Sequence, residues 1–251
     1  MIDLEDKKIE QDRYDSYASG LLENTAASIE LFDYSDLPFY LQSPYSHYER
    51  MIREYIVNEH KVLEIGSGTG NYTGYISSTG AEVTATDISS KSLEVASLRY
   101  SKNKNIKYQV ADMEQLPFSD ESFDVVCSAG SLSYGSYAKV SKEIKRVLKS
   151  GGYFICVDSL NNNPIYSLNR YIHFLRGKRS KSTLINMPKL ITISDMESSF
   201  DIKDIKYFGS LSWFFACLPN HIWVMNLSNK FDDFIKAKAS CFKFVMVARL
   251  N

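Results

Sequence analysis

From Lys61 onward, short β-rich apolar runs alternate with segments whose apolar residues recur at helical spacing, and this alternation predicts βαβ units building a mostly parallel sheet. KVLEIG, EVTATDI, IKYQVAD, FDVVCSAG and YFICVDS read as five successive strands. The segment after Gly70, SSKSLEVASLRYSK and SKEIKRVLKS read as helices, the second N-capped by Ser89 or Ser90 and the third closed by Gly151 and Gly152. The first, fourth and fifth runs are nearly continuous in apolar residues, as central strands covered on both faces must be.

On either side of this core the pattern loosens. Residues 1–60 hold an acidic, aromatic lead-in, a Tyr-rich stretch at Leu37–Tyr48 and the helix-like HYERMIREYIVNEH, with no strong strand. After Asp158 come a helix at SLNRYIHFLRG, a basic cluster, a short helix at ISDMESSF, and two strand-like runs, DIKDIKYFGS and CFKFVMVARLN. Between those runs lies the apolar LSWFFACLPNHIWVMNL, followed by FDDFIKAKA. The two late strands are expected to pair and complete the sheet. The expected organisation is one α/β domain: an N-terminal helical cap at 1–60, a ligand-binding core at 61–160, and insertions with the final two strands at 161–251.

The 251 residues suffice for one α/β domain with a modest cap. A formal net charge of −1, with signs mixed along the chain, gives no global electrostatic case for nucleic acid or an anionic membrane as a partner and leaves only a local patch open. Cys127, Cys156, Cys217 and Cys241 form no C-x-x-C pair and no metal-ligand spacing, so they read as reduced core residues and no metal is expected. The charged N-terminus lacks a secretory apolar stretch and no segment offers a membrane span, which predicts a cytoplasmic protein. Leu211–Leu227 carries both tryptophans and is open to three readings: a core helix, a lid or dimer face, or a shallow membrane contact. The oligomeric expectation is accordingly a monomer or a homodimer.

The sharpest chemical signal is VLEIGSGTG, where a strand ends in Glu64 and three alternating glycines, Gly66, Gly68 and Gly70. Glycines permit a sharp strand-to-helix turn and close approach of a ligand to the backbone. The spacing is G-x-G-x-G, whereas the pyrophosphate-binding dinucleotide loop reads G-x-G-x-x-G. A carboxylate at Glu64 suits a cationic, zwitterionic ligand better than phosphates. Asp87 ends the next strand, where a carboxylate can accept bonds from both ribose hydroxyls of an adenosine, or else cap the following helix. Asp112 ends the third strand, placed to bond an adenine amino group, with Met113 or Leu116 packing on the ring.

In this order and spacing, VLEIGSGTG, ATDIS, ADMEQLPFSDESFDVV and RVLKSGGYFICVDS resemble the motifs of class I S-adenosylmethionine (SAM)-dependent methyltransferases over Lys61–Ser159. The resemblance implies a Rossmann-like, seven-stranded sheet with an antiparallel last strand and helices on both faces. It also implies SAM as cofactor and S-adenosylhomocysteine as product, held by Gly66, Gly68, Asp87 and Asp112, with Glu64 and Gly70 supporting the loop. It does not reach the acceptor.

Methyl transfer to a hydroxyl needs alignment and removal of a proton. Candidates for the base are Asp158, at the end of the fifth strand, His173 in the insertion and His47 in the cap. The expected reaction is O-methylation of a small hydroxylated or sugar-like acceptor. Arg176, Lys178, Arg179 and Lys181 offer a grip for phosphate on a nucleotide- or lipid-linked molecule, or simply a solvated loop. Tyr134 is placed to line the site, and Tyr14, Tyr17, Tyr40 and Tyr45 either close over it as a lid or pack the cap on the sheet. Two rivals stand beside this reading: a SAM-binding module without transfer, and a nicotinamide-dependent oxidoreductase, against which the glycine spacing and Glu64 weigh.

Overall fold

The computed structural model describes residues 4–23, 33–37, 39–176, 180–210, 222–234 and 238–251. Lys178, Arg179, Cys217 and residues 211–221 of the late apolar stretch lie outside the described residues. Seven strands are described: β1 (Lys61–Ile65), β2 (Glu82–Asp87), β3 (Ile106–Val110), β4 (Phe123–Ala129), β5 (Leu148–Ser159), β6 (Phe200–Phe208) and β7 (Lys243–Leu250). They form one sheet in the order β3-β2-β1-β4-β5-β7-β6. Strands β1 to β5 pair in parallel, and β7 runs antiparallel to both β5 and β6. The two late strands thus complete the sheet as expected.

Period-2 alternation sends successive residues to opposite faces. Leu63, Ile65, Val126, Phe154, Phe244 and Met246 build the core on one face. It is covered by α5 (Tyr137–Val147) and α8 (Leu190–Ser199), which bury Val140, Ile144, Ile193 and Met196. Val62, Val83, Val125, Ile155 and Val245 build the other core, against Tyr48, Met51 and Ile52 of α2 (Phe39–Tyr55). Cys127, Cys156 and Cys241 are buried and form no disulfide among the described residues. The strand order reverses beside β1, so the carboxyl ends of β1, β2 and β4 open a crevice at the switch point, where α/β sheets bind ligands.

The helices α3 (Thr73–Ser77) and α4 (Ser90–Arg99) follow β1 and β2, and Ser89 is the N-cap of α4, its Oγ accepting from Ser92 N at 2.9 Å. Two expectations shift. The helix expected to close at Gly151 and Gly152 ends at Val147; Leu148 already pairs with Phe123, and the register then jumps to Val125↔Tyr153, so Lys149–Gly152 bulge within β5. The cap helix begins at Phe39, upstream of His47, and runs through Pro44 to Tyr55.

The lead-in, expected only as an acidic, aromatic segment, is the 20-residue helix α1 (Leu4–Glu23). Its pattern hides it, because among its described apolar side chains only Ala18 is fully buried and its attachments are polar. Helices α6 (Pro164–Leu175), α7 (Lys181–Ile185) and α9 (Ile222–Phe234) complete the described α-helices. Among the described residues no helix is long and apolar enough to cross a membrane.

Candidate functional site

At the switch point lies a cavity of about 220 Å³ walled by the glycine loop, the ends of β2 and β3, the loop after β4, and α1. The loop after β1 turns through Gly66 (φ 65°) and Gly68 (φ 54°), a left-handed conformation that side-chain-bearing residues rarely adopt. A Cβ at Gly66 would stand 2.4 Å from Ser131 Cβ, whereas a Cβ at Gly68 would meet no protein atom within 4 Å. The first glycine is therefore needed for packing and the second leaves a vacant stretch of cavity wall. Gly70 sits off the wall, packed on Ala96 and Tyr100.

Asp87 ends β2 inside the cavity. Its Oδ2 accepts from Gly68 N and its Oδ1 from Ser89 N, each at 2.9 Å, so one carboxylate ties the glycine loop to the start of α4. Burial pushes its carboxyl above the ordinary range, against the pull of the Ser89, Gly68 and Ile88 N–H groups. Asp112 and Met113 also line the cavity. Asp112 Oδ1 accepts from Glu114 N at 2.9 Å, and its Oδ2 from the Lys7 ammonium at 2.5 Å. Among the described residues the buried Ser67 Oγ, in the glycine loop, makes no hydrogen bond.

Glu64 lies beneath the loop, fully buried, its Oε2 accepting from Thr73 Oγ1 at 2.6 Å. Burial raises its carboxyl to about 7, opposed by the Thr73 bond and reinforced by Asp87. It steadies the turn into α3 from below and does not line the cavity.

None of the three candidate bases lines the cavity either. Asp158 is 1% exposed, and its carboxylate accepts from Leu132 N at 2.9 Å and Ser159 N at 2.6 Å, which makes it a brace for the loop after β4. His47 packs on Phe208 with its ring nitrogens 3.1 Å from Asp204 and 2.7 Å from Arg50, at the β6 edge. Burial, and then Arg50, lower its pKa. His173 is half-buried on α6.

Helix α1 adds Lys7, Glu10, Tyr14 and Tyr17 to the polar lining of the cavity, and of these sequence reasoning singled out only the tyrosines. Tyr14 and Tyr17 line it, and the Tyr14 hydroxyl donates to the Tyr134 hydroxyl at 2.7 Å. Burial drives the Tyr14 phenol far above its usual range. Tyr45 stands one layer back, stacked on the cavity residue Tyr72 with ring centres 5.2 Å apart, while the Tyr40 side chain lies outside the described residues. Glu10, buried at the cavity wall, pairs with Arg13 at 2.5 Å and accepts from Ser180 N at 3.2 Å. Lys7 is held by Asp112 and Glu114; burial alone would lower its pKa, but these two bonds keep it raised. No spacing rule marks Lys7 or Glu10, because their relation to the site is made only by the docking of α1.

Such a cavity can hold an adenosine-like ligand with its hydroxyls at Asp87, and can exclude water beneath α1. The methyltransferase domain family model matches residues 63–156. The chain is 28% identical over 183 residues to an uncharacterised methyltransferase, YcgJ, of Bacillus subtilis, a match covering 71% of this chain and 65% of that protein. It is 34% identical over 134 residues to a demethylmenaquinone methyltransferase of Chlorobaculum parvum, covering 50% of this chain and 54% of the relative. The chain thus spans between half and two thirds of the length of these relatives. Among solved structures, geranyl diphosphate C-methyltransferase of Streptomyces coelicolor A3(2), in complex with Mg2+, geranyl diphosphate and S-adenosyl-L-homocysteine, superposes with a TM-score of 0.60 at 14% identity, covering 84% of this chain and 80% of that one. That likeness shows the shared fold.

Proposed function

We infer that the chain is a class I SAM-dependent methyltransferase that binds SAM in the cavity at the switch point and transfers a methyl group to a small acceptor, a reading supported by the methyltransferase domain match over residues 63–156 and by the shared fold. The observation that carries this reading is the pairing of Gly68 with Asp87. Gly68 leaves wall space that any side chain would fill, and the carboxylate fixing its amide also faces that space. Gly66, Gly68 and Ser67 would hold the methionine end, Asp87 the ribose, and Asp112 with Met113 the adenine. Each Asp112 oxygen accepts one hydrogen bond within the protein, from Glu114 N and Lys7, and keeps a further lone pair for an adenine amino group.

When bound, the cofactor supplies a sulfonium-activated methyl for in-line displacement by a nucleophile. The chain's residues do the rest. Tyr14, Tyr17 and Tyr134 exclude water, and α1 closes the wall from above. Glu10 is the α1 carboxylate on that wall, so it is the group best placed to take a proton from a hydroxylated acceptor. The geranyl diphosphate of the Streptomyces structure and the demethylmenaquinone in the name of the Chlorobaculum relative support a small-molecule acceptor.

Calorimetric titration with SAM and with S-adenosylhomocysteine tests the reading. Micromolar binding that weakens at least about tenfold in Asp87→Ala is expected; absence of binding to either, with binding of a nicotinamide cofactor instead, overturns it. Once an acceptor is found by screening, Glu10→Gln should keep S-adenosylhomocysteine affinity while lowering kcat. Unchanged kcat would remove Glu10 from the reaction.

A further inference from the structure

The inward side of helix α6 combines one aromatic contact, Tyr166 stacked on Phe242 with ring centres 5.1 Å apart, with polar bonds: Arg170 is 8% exposed and donates to Leu160 O at 3.0 Å and to Asn161 Oδ1 at 3.1 Å, while Ser167 Oγ bonds Asn161 and Asn163. Its aliphatic side faces outward, with Ile165 48%, Leu168 61%, Tyr171 51% and Leu175 65% exposed. At 100° per residue these positions, with Ile172 between them, form one stripe along the helix. Ile185 on α7 and Ile191 on α8 are also exposed. A soluble helix normally buries such a stripe, and a contiguous exposed one marks a contact surface.

Charge selects what the surface meets. Between Asp158 and Asp195 the sequence holds six basic residues and no acidic one, in a chain whose formal net charge is −1. Arg170 is spent internally, but Arg176, Lys181 and Lys189 are exposed beside the stripe. A second copy docked two-fold on this face would set like charges against each other. An anionic lipid surface satisfies both features at once, taking the aliphatic stripe among its acyl chains and the cations at its headgroups.

We propose that α6, with the exposed Arg176, Lys181 and Lys189, docks the protein on an anionic membrane surface. The docking face adjoins the cavity: Ser180, which caps α7, donates its N–H to Glu10. A lipophilic acceptor partitioned into the bilayer would therefore meet the enzyme on the α1 side. The docking itself does not depend on methyl transfer.

Flotation with vesicles of equal parts phosphatidylglycerol and phosphatidylcholine, against vesicles of phosphatidylcholine alone, tests the proposal. Wild type should float with the anionic vesicles, and the bound fraction should fall with salt. Leu168→Asp with Leu175→Asp, and separately Arg176→Glu with Lys181→Glu, should each weaken binding at least about tenfold. These side chains are exposed, so unchanged melting temperatures and S-adenosylhomocysteine affinity will show that the variants are folded. Failure of the wild type to float, or equal flotation of wild type and both variants, overturns the proposal. So does a dimer in sedimentation that Leu168→Asp dissociates, since a second copy would then cover the face. Because S-adenosylhomocysteine binding is read separately, loss of either conclusion leaves the other to stand or fall on its own measurement.

Discussion

The Lys7 ammonium lies 2.5 Å from Asp112 Oδ2 and 2.9 Å from Glu114 Oε2, so the N-terminal helix is tied to the end of β3 across the cavity. The same helix is fastened to the end of β2, where Gln11 donates to Ile88 O at 3.1 Å and Ser89 Oγ donates to Asp15 at 2.6 Å. With little apolar area beneath it, α1 is held by these polar contacts and belongs among the elements that open locally.

Replacing Lys7 with Met should therefore loosen α1 while leaving the sheet intact. The substitution leaves Asp112 and the nearly buried Glu114 without this cation, a loss on the order of 1–2 kcal/mol. Hydrogen exchange along α1 should accelerate about tenfold, with protection of β1 and β4 unchanged. Equal protection of α1 in wild type and variant would show that Lys7 is not its anchor.

Gly66 and Gly68 should part company on substitution by Ala. At Gly66 the added methyl stands 2.4 Å from Ser131 Cβ and the backbone is left-handed, so Gly66→Ala should cost several kcal/mol, roughly 3, and lower the melting temperature sharply. At Gly68 the methyl meets no protein atom; Gly68→Ala pays only the conformational strain of about 1 kcal/mol but projects into the cavity. Calorimetry on Gly68→Ala should show a folded protein that has lost S-adenosylhomocysteine affinity. Retained affinity would mean the ligand does not pass Gly68.

The contrast between these glycines and Lys7 marks what was legible in the sequence. The glycine loop, Asp87, Asp112 and Met113 could be found because βαβ periodicity carries each strand end to the same edge of the sheet, and all but Gly70 and Glu64 of the cofactor set reach the cavity wall. Glu64 is expected both to favour a cationic ligand by its charge and to support the loop; strand alternation puts it on the face of Val62, under the loop, where it does the second. Asp158 is a candidate base for the same reason of position, but two backbone N–H groups hold its carboxylate. Lys7 and Glu10 carried no signal at all. Helix α1 has neither an apolar face nor a motif, and a helix docked by polar contacts leaves no period in the sequence to find.

Asp158→Asn separates a bracing role from a catalytic one. The amide oxygen can replace one acceptor, but its NH2 must then face either the Leu132 or the Ser159 N–H, an uncompensated buried contact costing about 1–3 kcal/mol. The expected result is a lower melting temperature with S-adenosylhomocysteine affinity and the pH dependence of kcat unchanged. A kcat that collapses in a variant of undiminished stability would return Asp158 to the list of bases.

Glu64→Gln should reveal the cost of burying a carboxylate under the glycine loop. Burial raises its folded pKa from 4.5 to about 7, so between those values the folded protein keeps a proton that the unfolded chain releases. Stability from this group is thus fully present below about 4.5 and is lost as pH rises through about 7. At roughly 1.4 kcal/mol per pKa unit the loss approaches about 3 kcal/mol. Gln still accepts the Thr73 hydroxyl and has nothing to ionise. Denaturant unfolding without cofactor should therefore find the variant close to wild type at pH 5 and more stable by about 2–3 kcal/mol at pH 8. Other groups titrate over the same range in both proteins, so the difference between the two profiles isolates Glu64. Parallel profiles would show that its carboxyl is ionised in the folded protein throughout, and that the buried site under the loop is more polar than the Thr73 bond alone provides.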